Sequence, residues 1–206
     1  MNPINRRNFL QKCVGAGTCG LFALSSVPAF SRTNAATFLL GRRLTLQSSS
    51  PWGIERAAFL QKLVKAQTHD LFALPALDRL PMTQKLEEVN RAVNRIPYAS
   101  DQSVYGREDL WADPVLFRQK GGDCEDFALS KFACLTDLAV APDDMFLIGV
   151  KHIYSHQAHA CLAVKTPENG VVILDNASNV IKTDWHFRKT YRLIYAQSVH
   201  GLWQPA

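Results

Sequence analysis

Three residue types suited to nucleophilic acyl chemistry occur in order along the chain: Cys124 in "KGGDCEDFALSKF", His159 in "AHACLAV" and Asp175 in "VVILD". A cysteine reacts as its thiolate, which a helix N-terminus or a neighbouring histidine stabilises. Gly121 and Gly122 free the backbone to turn tightly into a helix beginning at or beside Cys124. Its first N–H groups would then point outward, as half of an oxyanion hole. The candidate bases are His152, His156 and His159. His159 lies on regular strand, where its ring is held in one direction, whereas His156 falls in the polar turn "YSHQ" and should face solvent. Asp175 closes an apolar strand, a costly place for an ionised carboxylate unless something holds it. The turn "PENG" at 167–170 folds it back to within a residue or two of His159, where it could fix the imidazole tautomer. Each piece alone has an ordinary reading, as core cysteine, strand histidine or turn aspartate.

The elements that must position these residues are visible as periodicities. Apolar residues at helical intervals predict helices over about 54–72 and 83–95, and a third entered from the two glycines and stopping at Pro142. Between the second and third lies the polar, aromatic-studded stretch "IPYASDQSVYGREDLWADP". After Pro142 the period changes to two, in "MFLIGVKHI", "HACLAVKT", "VVILDN" and "RLIYAQSV". Helices followed by strands with short links argue for an α+β fold with a mainly antiparallel sheet. Residues 37–53, without steady period and rich in Ser, Pro and Gly towards their end, read as a linker onto a domain spanning 54–206.

The net charge of +5 invites a nucleic-acid partner, but the excess sits at the start of the chain. Residues 1–36 hold Arg6, Arg7, Lys12 and Arg32 and no acid, so the remainder carries 19 basic against 18 acidic residues. No basic stripe is left to follow phosphates, and nucleic acid is discarded as a partner. The same segment reads as an export signal. Paired arginines precede Phe-Leu, a short apolar stretch follows, and cleavage near 29 or 36 fits the small residues there. The pattern resembles a twin-arginine signal and predicts a periplasmic protein; an ordinary secretory signal is the alternative. Three cysteines then remain, Cys124, Cys134 and Cys161. The last two sit in apolar surroundings, and the sequence leaves open whether they pair.

The segments "GGDCEDFALSKF", "AHACLAV" and "VILDN", in that order and spacing, resemble the bacterial transglutaminase-like cysteine proteinases, the family of the periplasmic LapG-type proteases. The likeness extends over roughly residues 80–203. It implies a papain-like, transglutaminase-type fold with Cys124 as nucleophile, His159 as base and Asp175 as orienting acid. It also implies that Asp123 and Glu125 hold a calcium ion. The physics agrees, because carboxylates crowded beside a thiol raise its pKa and a divalent cation would offset them. Acids in a helix's first turn are also favoured by the helix dipole without any metal.

The resemblance further implies a protein substrate such as a biofilm adhesin and an inner-membrane receptor. Trp111, in a polar loop, is a candidate contact for that partner, or else a tryptophan capping the core. Two other functions use the same residues: acyl transfer to an amine, as in a transglutaminase or amidase, and a non-enzymatic calcium-dependent binding domain.

Overall fold

The computed structural model describes residues 37–206 apart from 69, 75, 76, 78 and 108. The expected export signal at 1–36 therefore lies outside the described residues. The four anticipated strands are present as β3 (Met145–His152), β4 (Ala158–Thr166), β5 (Gly170–Asp175) and β7 (Tyr191–Ser198). Four more complete the sheet: β1 (Thr37–Leu39), β2 (Arg42–Gln47), β6 (Ser178–Thr183) and β8 (Gly201–Pro205). The eight run in the order β1-β2-β8-β7-β3-β4-β5-β6 with every neighbouring pair antiparallel. The fold is α+β, as the change of period from helical to strand spacing predicts.

Strand alternation divides the apolar residues between two layers. Leu147, Leu162, Val164 and Leu174 join one cluster with Phe127, Leu129 and Phe132 of α5 (Cys124–Asp137). Ile148, Cys161, Ala163 and Ile173 join a second with Leu39, Leu44 and Phe187. Around α5 stand α1 (Pro51–Leu63), α2 (Met82–Val93) and α4 (Pro114–Lys120), with the short helices α3 (Asp101–Tyr105) and α6 (Asp184–Phe187) in the connections. Every residue of α5 from Asp126 to Leu135 is buried. It is a central helix rather than a surface one, and none of the described helices is long and apolar enough to cross a membrane.

Residues 37–53 are not a linker. They form the β1–β2 hairpin and the start of α1, so the folded unit begins near residue 37 rather than 54. Leu40 and Gly41 both have positive φ, 50° and 72°, the backbone of a tight two-residue hairpin turn. Leu39, Leu40 and Leu44 are buried, and β2 pairs with β8 from Gln47↔Leu202 to Leu44↔Pro205. The first helix begins and ends earlier than expected. Pro51 opens it behind a Ser50 cap, whose hydroxyl accepts from the Gly53 N–H at 3.2 Å, and it stops at Leu63. Leu71 and Phe72, which prolong the apolar spacing, lie in a turn.

Candidate active site

Cys124 is the first residue of α5, and the two preceding glycines deliver it there for different reasons. Gly121 has φ of +77°, and a Cβ on it would stand 2.6 Å from the Pro97 carbonyl oxygen. That backbone conformation is glycine's by default. Gly122 has no such φ but is crowded: its Cβ would meet Asp126 Oδ2 at 2.2 Å and Phe117 Cδ2 at 2.8 Å. The chain is held in this narrow passage by the Ala99 N–H, which donates to the Gly122 carbonyl at 2.9 Å.

The sulfur of Cys124 accepts the main-chain N–H of Ala160, which places the thiol against β4 one residue from His159. His159 Nε2 lies 2.8 Å from Asp175 Oδ1. The same carboxylate oxygen accepts the Ala177 N–H at 2.9 Å. Burial alone would raise the Asp175 carboxyl, but the hydrogen bond and charge of His159 outweigh it and hold the group below its ordinary value. Because Nε2 is engaged by Asp175, Nδ1 is the nitrogen left to serve the thiol. Tyr191 packs beside the imidazole with 5.7 Å between ring centroids. His156 is exposed, and His152 spends its Nδ1 accepting N–H groups of Tyr154 and Ser155 in the β3–β4 turn.

The acids crowd the thiol from the other side. Burial pushes the Cys124 pKa well up, and the Glu125 charge adds to this, together with the thiol's 3.2 Å hydrogen bond to Glu125 Oε2. Asp123 is raised to about 9 by burial, a hydrogen bond with Glu125 and the surrounding carboxylates. Burial is also the main cause lifting Asp126 to about 7, and it raises Asp101 as well. Carboxylate oxygens of Asp101, Asp123 and Asp126 come within 4.8 Å of one another, as do those of Asp101, Asp109 and Glu125. Asp101 Oδ1, Asp123 Oδ1 and Asp126 Oδ2 are buried without a hydrogen-bond partner. Buried acids whose carboxyls are pushed upward by burial and by one another, with orphaned oxygens converging, suit a hard divalent cation with oxygen ligands.

A family model described as bacterial transglutaminase-like cysteine proteinase (BTLCP) matches residues 63–204. The chain belongs to this family. It is a cysteine peptidase of the transglutaminase-like kind, and solved relatives share its fold. Calcium-bound Legionella pneumophila LapG is 29% identical, with a TM-score of 0.57, over 72% of this chain and 87% of that one. EGTA-treated Legionella pneumophila LapG is likewise 29% identical, with a TM-score of 0.56, over 73% of this chain and 86% of that one. No curated protein matches the chain.

Within this transglutaminase-like proteinase, the sequence singled out Asp123 and Glu125 but not their companions Asp101 and Asp109. Asp101 stands 24 residues before Glu125 at the start of α3, where "SDQS" reads as a helix cap. Only the fold turns its carboxylate, which also accepts the Leu110 N–H, towards the cluster. Trp111 is corrected from a partner contact to a core residue. It is 8% exposed, packs edge-on to Phe59, and carries the Arg56 guanidinium over its ring at 4.2 Å. Arg56 in turn pairs with Asp109 at 2.9 Å. Cys134 and Cys161 are buried free thiols, so they do not pair.

Proposed function

We propose that this proteinase is an exported, calcium-dependent endopeptidase acting through Cys124, His159 and Asp175. The observation that carries the reading is the 2.8 Å His159–Asp175 contact, one residue from the N–H that meets the Cys124 sulfur. His159 Nδ1 takes the thiol proton as sulfur attacks the peptide carbonyl carbon. An S–C bond forms, and the carbonyl electrons move to oxygen, facing the free N–H groups at the start of α5. The C–N bond then breaks, His159 returns the proton to the leaving amine, and water resolves the thioester to acid and free thiol. Asp175 keeps the imidazole in the tautomer with Nε2–H and favours the imidazolium that forms.

Asp123 and Glu125, with Asp101 as a third carboxylate, would hold the calcium ion, and Asp126 and Asp109 adjoin them. A bound cation would offset the Glu125 and Asp123 charges, which add to burial in raising the Cys124 thiol. Calcium-bound and EGTA-treated forms of the LapG relative support this assignment.

The substrate proposed is a periplasmic segment of a surface protein such as a biofilm adhesin, with an inner-membrane receptor as regulator. The paired arginines of residues 1–36 support export to the periplasm by the twin-arginine route. The test compares new protein N-termini in the envelope and medium of cells carrying wild type or Cys124→Ala. N-termini that vanish with the variant would identify substrate and cut site together. An unchanged set would remove the endopeptidase reading, and incorporation of a primary amine into glutamine-bearing proteins would then reveal acyl transfer by the same triad.

A further inference from the structure

Two asparagines at the end of α2 spend their side-chain donors on one turn, the turn that carries Asp175. Asn90 Nδ2 donates to the Ser178 carbonyl at 3.0 Å. Asn94 Nδ2 donates to the Asp175 carbonyl at 3.0 Å, to the Ser178 carbonyl at 3.2 Å and to Asn179 Oδ1 at 3.0 Å. The two residues are four apart, so they lie one above the other on a single face of the helix. Asn90 is 0% exposed, and the Oδ1 atoms of both are buried without a hydrogen-bond partner. An unpaired buried oxygen costs stability that an apolar side chain would not. Helix termination does not call for asparagine here either. Asn94 ends α2 with φ of −66° and ψ of −7°, ordinary right-handed backbone, whereas asparagine is favoured at helix ends in the left-handed conformation. What the pair gains at this position is its hold on the turn.

The sheet alone holds that turn loosely. β6 is the last strand and pairs only with β5, and this pairing loses register between Ile173 and Asp175. Asp175 and Ser178 face each other across the bend, and the Ala177 N–H closes it onto Asp175 Oδ1. The carboxylate that meets His159 Nε2 at 2.8 Å is therefore aimed by the backbone of residues 175–178, two of whose carbonyls are the ones gripped from α2. The helix is itself fastened to the one that carries the nucleophile. Leu86, Val89 and Val93 of α2 are buried in one cluster with Phe127, Leu129 and Phe132 of α5, and α2 packs against α5, β5 and β6. One helix thus ties the element that presents Cys124 to the turn that presents Asp175.

We propose that Asn94, backed by Asn90, is a positioning residue: its carboxamide fixes the β5–β6 turn so that Asp175 keeps His159 oriented for Cys124. The inference rests on the triad reading given above. Asn94 acts through the main chain of Asp175 and not on the imidazole or the thiol. The site also accounts for the choice of side chain. The three groups that Asn94 meets are all oxygen acceptors, so a carboxamide supplies the donors they need. A carboxylate of the same shape would turn an acceptor towards them instead.

The test needs no natural substrate. The rate of iodoacetamide alkylation at Cys124 is followed by peptide mass spectrometry on the calcium-loaded protein at neutral pH, below the melting temperature of every variant. Asn94→Ala and the equally shaped Asn94→Asp should each slow it by about tenfold or more, since a misplacement of about 1 Å can cost a hundredfold. Asn90→Ala, which leaves the bond to the Asp175 carbonyl in place, should slow it less than either. Added to Asp175→Asn, Asn94→Ala should change the rate by less than about twofold, because the group it acts through is gone. The low-field proton resonance of an imidazole N–H bonded to a carboxylate should be present in wild type, absent in Asp175→Asn, and broadened or lost in Asn94→Ala. Melting temperatures are recorded for each variant. Rates that fall in step with melting temperature, whichever asparagine is changed, would mark a merely structural role and overturn the proposal. So would a loss that persists in full on the Asp175→Asn background, or an imidazole resonance unmoved in Asn94→Ala. A wild-type rate indifferent to His159→Ala would remove the triad reading and this proposal with it. A His159-dependent rate indifferent to Asn94 would remove this proposal alone.

Discussion

Gly122→Ala tests how the turn delivers Cys124 to the sheet. Gly122 lacks the positive φ of Gly121, so the change acts through space and not through backbone strain. The added methyl would stand 2.2 Å from Asp126 Oδ2, 2.8 Å from its Cβ and 2.8 Å from Phe117 Cδ2. Ordinary carbon contacts are about 3.5–4 Å, so the neighbours must give by about 1 Å. Neither is free to do so. Asp126 Oδ1 accepts the Ala112 N–H at 2.8 Å, and Phe117 stands edge-on to Phe127 with 4.8 Å between centroids. Overpacking of this kind costs about 1–3 kcal/mol, and losing the buried Asp126 bond adds about 1–3 kcal/mol. Each kcal/mol moves the melting temperature of a chain this size by about 2–4 °C, so the combined cost of about 2–6 kcal/mol predicts a fall of about 4–24 °C. The assay is a thermal melt beside Gly170→Ala. Gly170 has φ +65° and open space at its Cβ, so that control carries only left-handed strain of about 1–2 kcal/mol. Gly122→Ala should melt below Gly170→Ala and alkylate more slowly at Cys124. Equal melting temperatures for the two variants would refute the packed turn.

Chelation of calcium should lower both the melting temperature and the rate of Cys124 alkylation; a site held at a hundredfold over its Kd contributes about 2.7 kcal/mol. Asp101→Asn should weaken calcium binding measured by titration calorimetry, although Asp101 is remote from Cys124 in sequence. Lys131 has a folded pKa near 7, below the ordinary lysine value of 10.5. Its destabilising effect is therefore complete below about pH 7 and fades as pH rises towards 10.5, because over that interval the unfolded chain binds the additional proton. Wild type should gain stability relative to Lys131→Met across that interval in denaturant titrations. Trp111→Ala should cost about 3–5 kcal/mol of stability, the usual range for truncating a buried tryptophan. Denaturant unfolding measures this loss.

The elements that carry Cys124, His159 and Asp175 were legible because each residue sits in a local pattern that states its element: glycines before a helix, a regular strand, a strand end before a turn. The four strands β3, β4, β5 and β7 were legible for the same reason, since their apolar residues alternate. β6 was not, because it is a sheet edge with only partly buried or exposed residues, and its pattern carries no buried face. The hairpin of β1 and β2 escaped because its turn uses Leu40 where asparagine or glycine is the usual signal, and Arg42 and Arg43 mask the strand. Lys131 escaped for a different reason. A helix buried on all sides has no polar face by which an inward lysine could be told from an outward one. Asp101 and Asp109 join Glu125 only through tertiary placement, which no spacing rule anticipates.

The β2–β8 pairing has a consequence for how the molecule is made. Gln47 finds Leu202, and the Ala206 N–H donates to the Arg43 carbonyl at 2.9 Å, so contacts far apart in sequence close one side of the sheet. Such contacts form late, because the chain entropy of a long loop must be overcome before they return any stability. Until β8 arrives, β7 presents an open edge to other chains, the template on which strands aggregate. A variant lacking residues 201–206 should therefore fail first in yield of soluble protein, through association of incompletely folded molecules, even though Cys124, His159 and Asp175 all remain in the shortened chain.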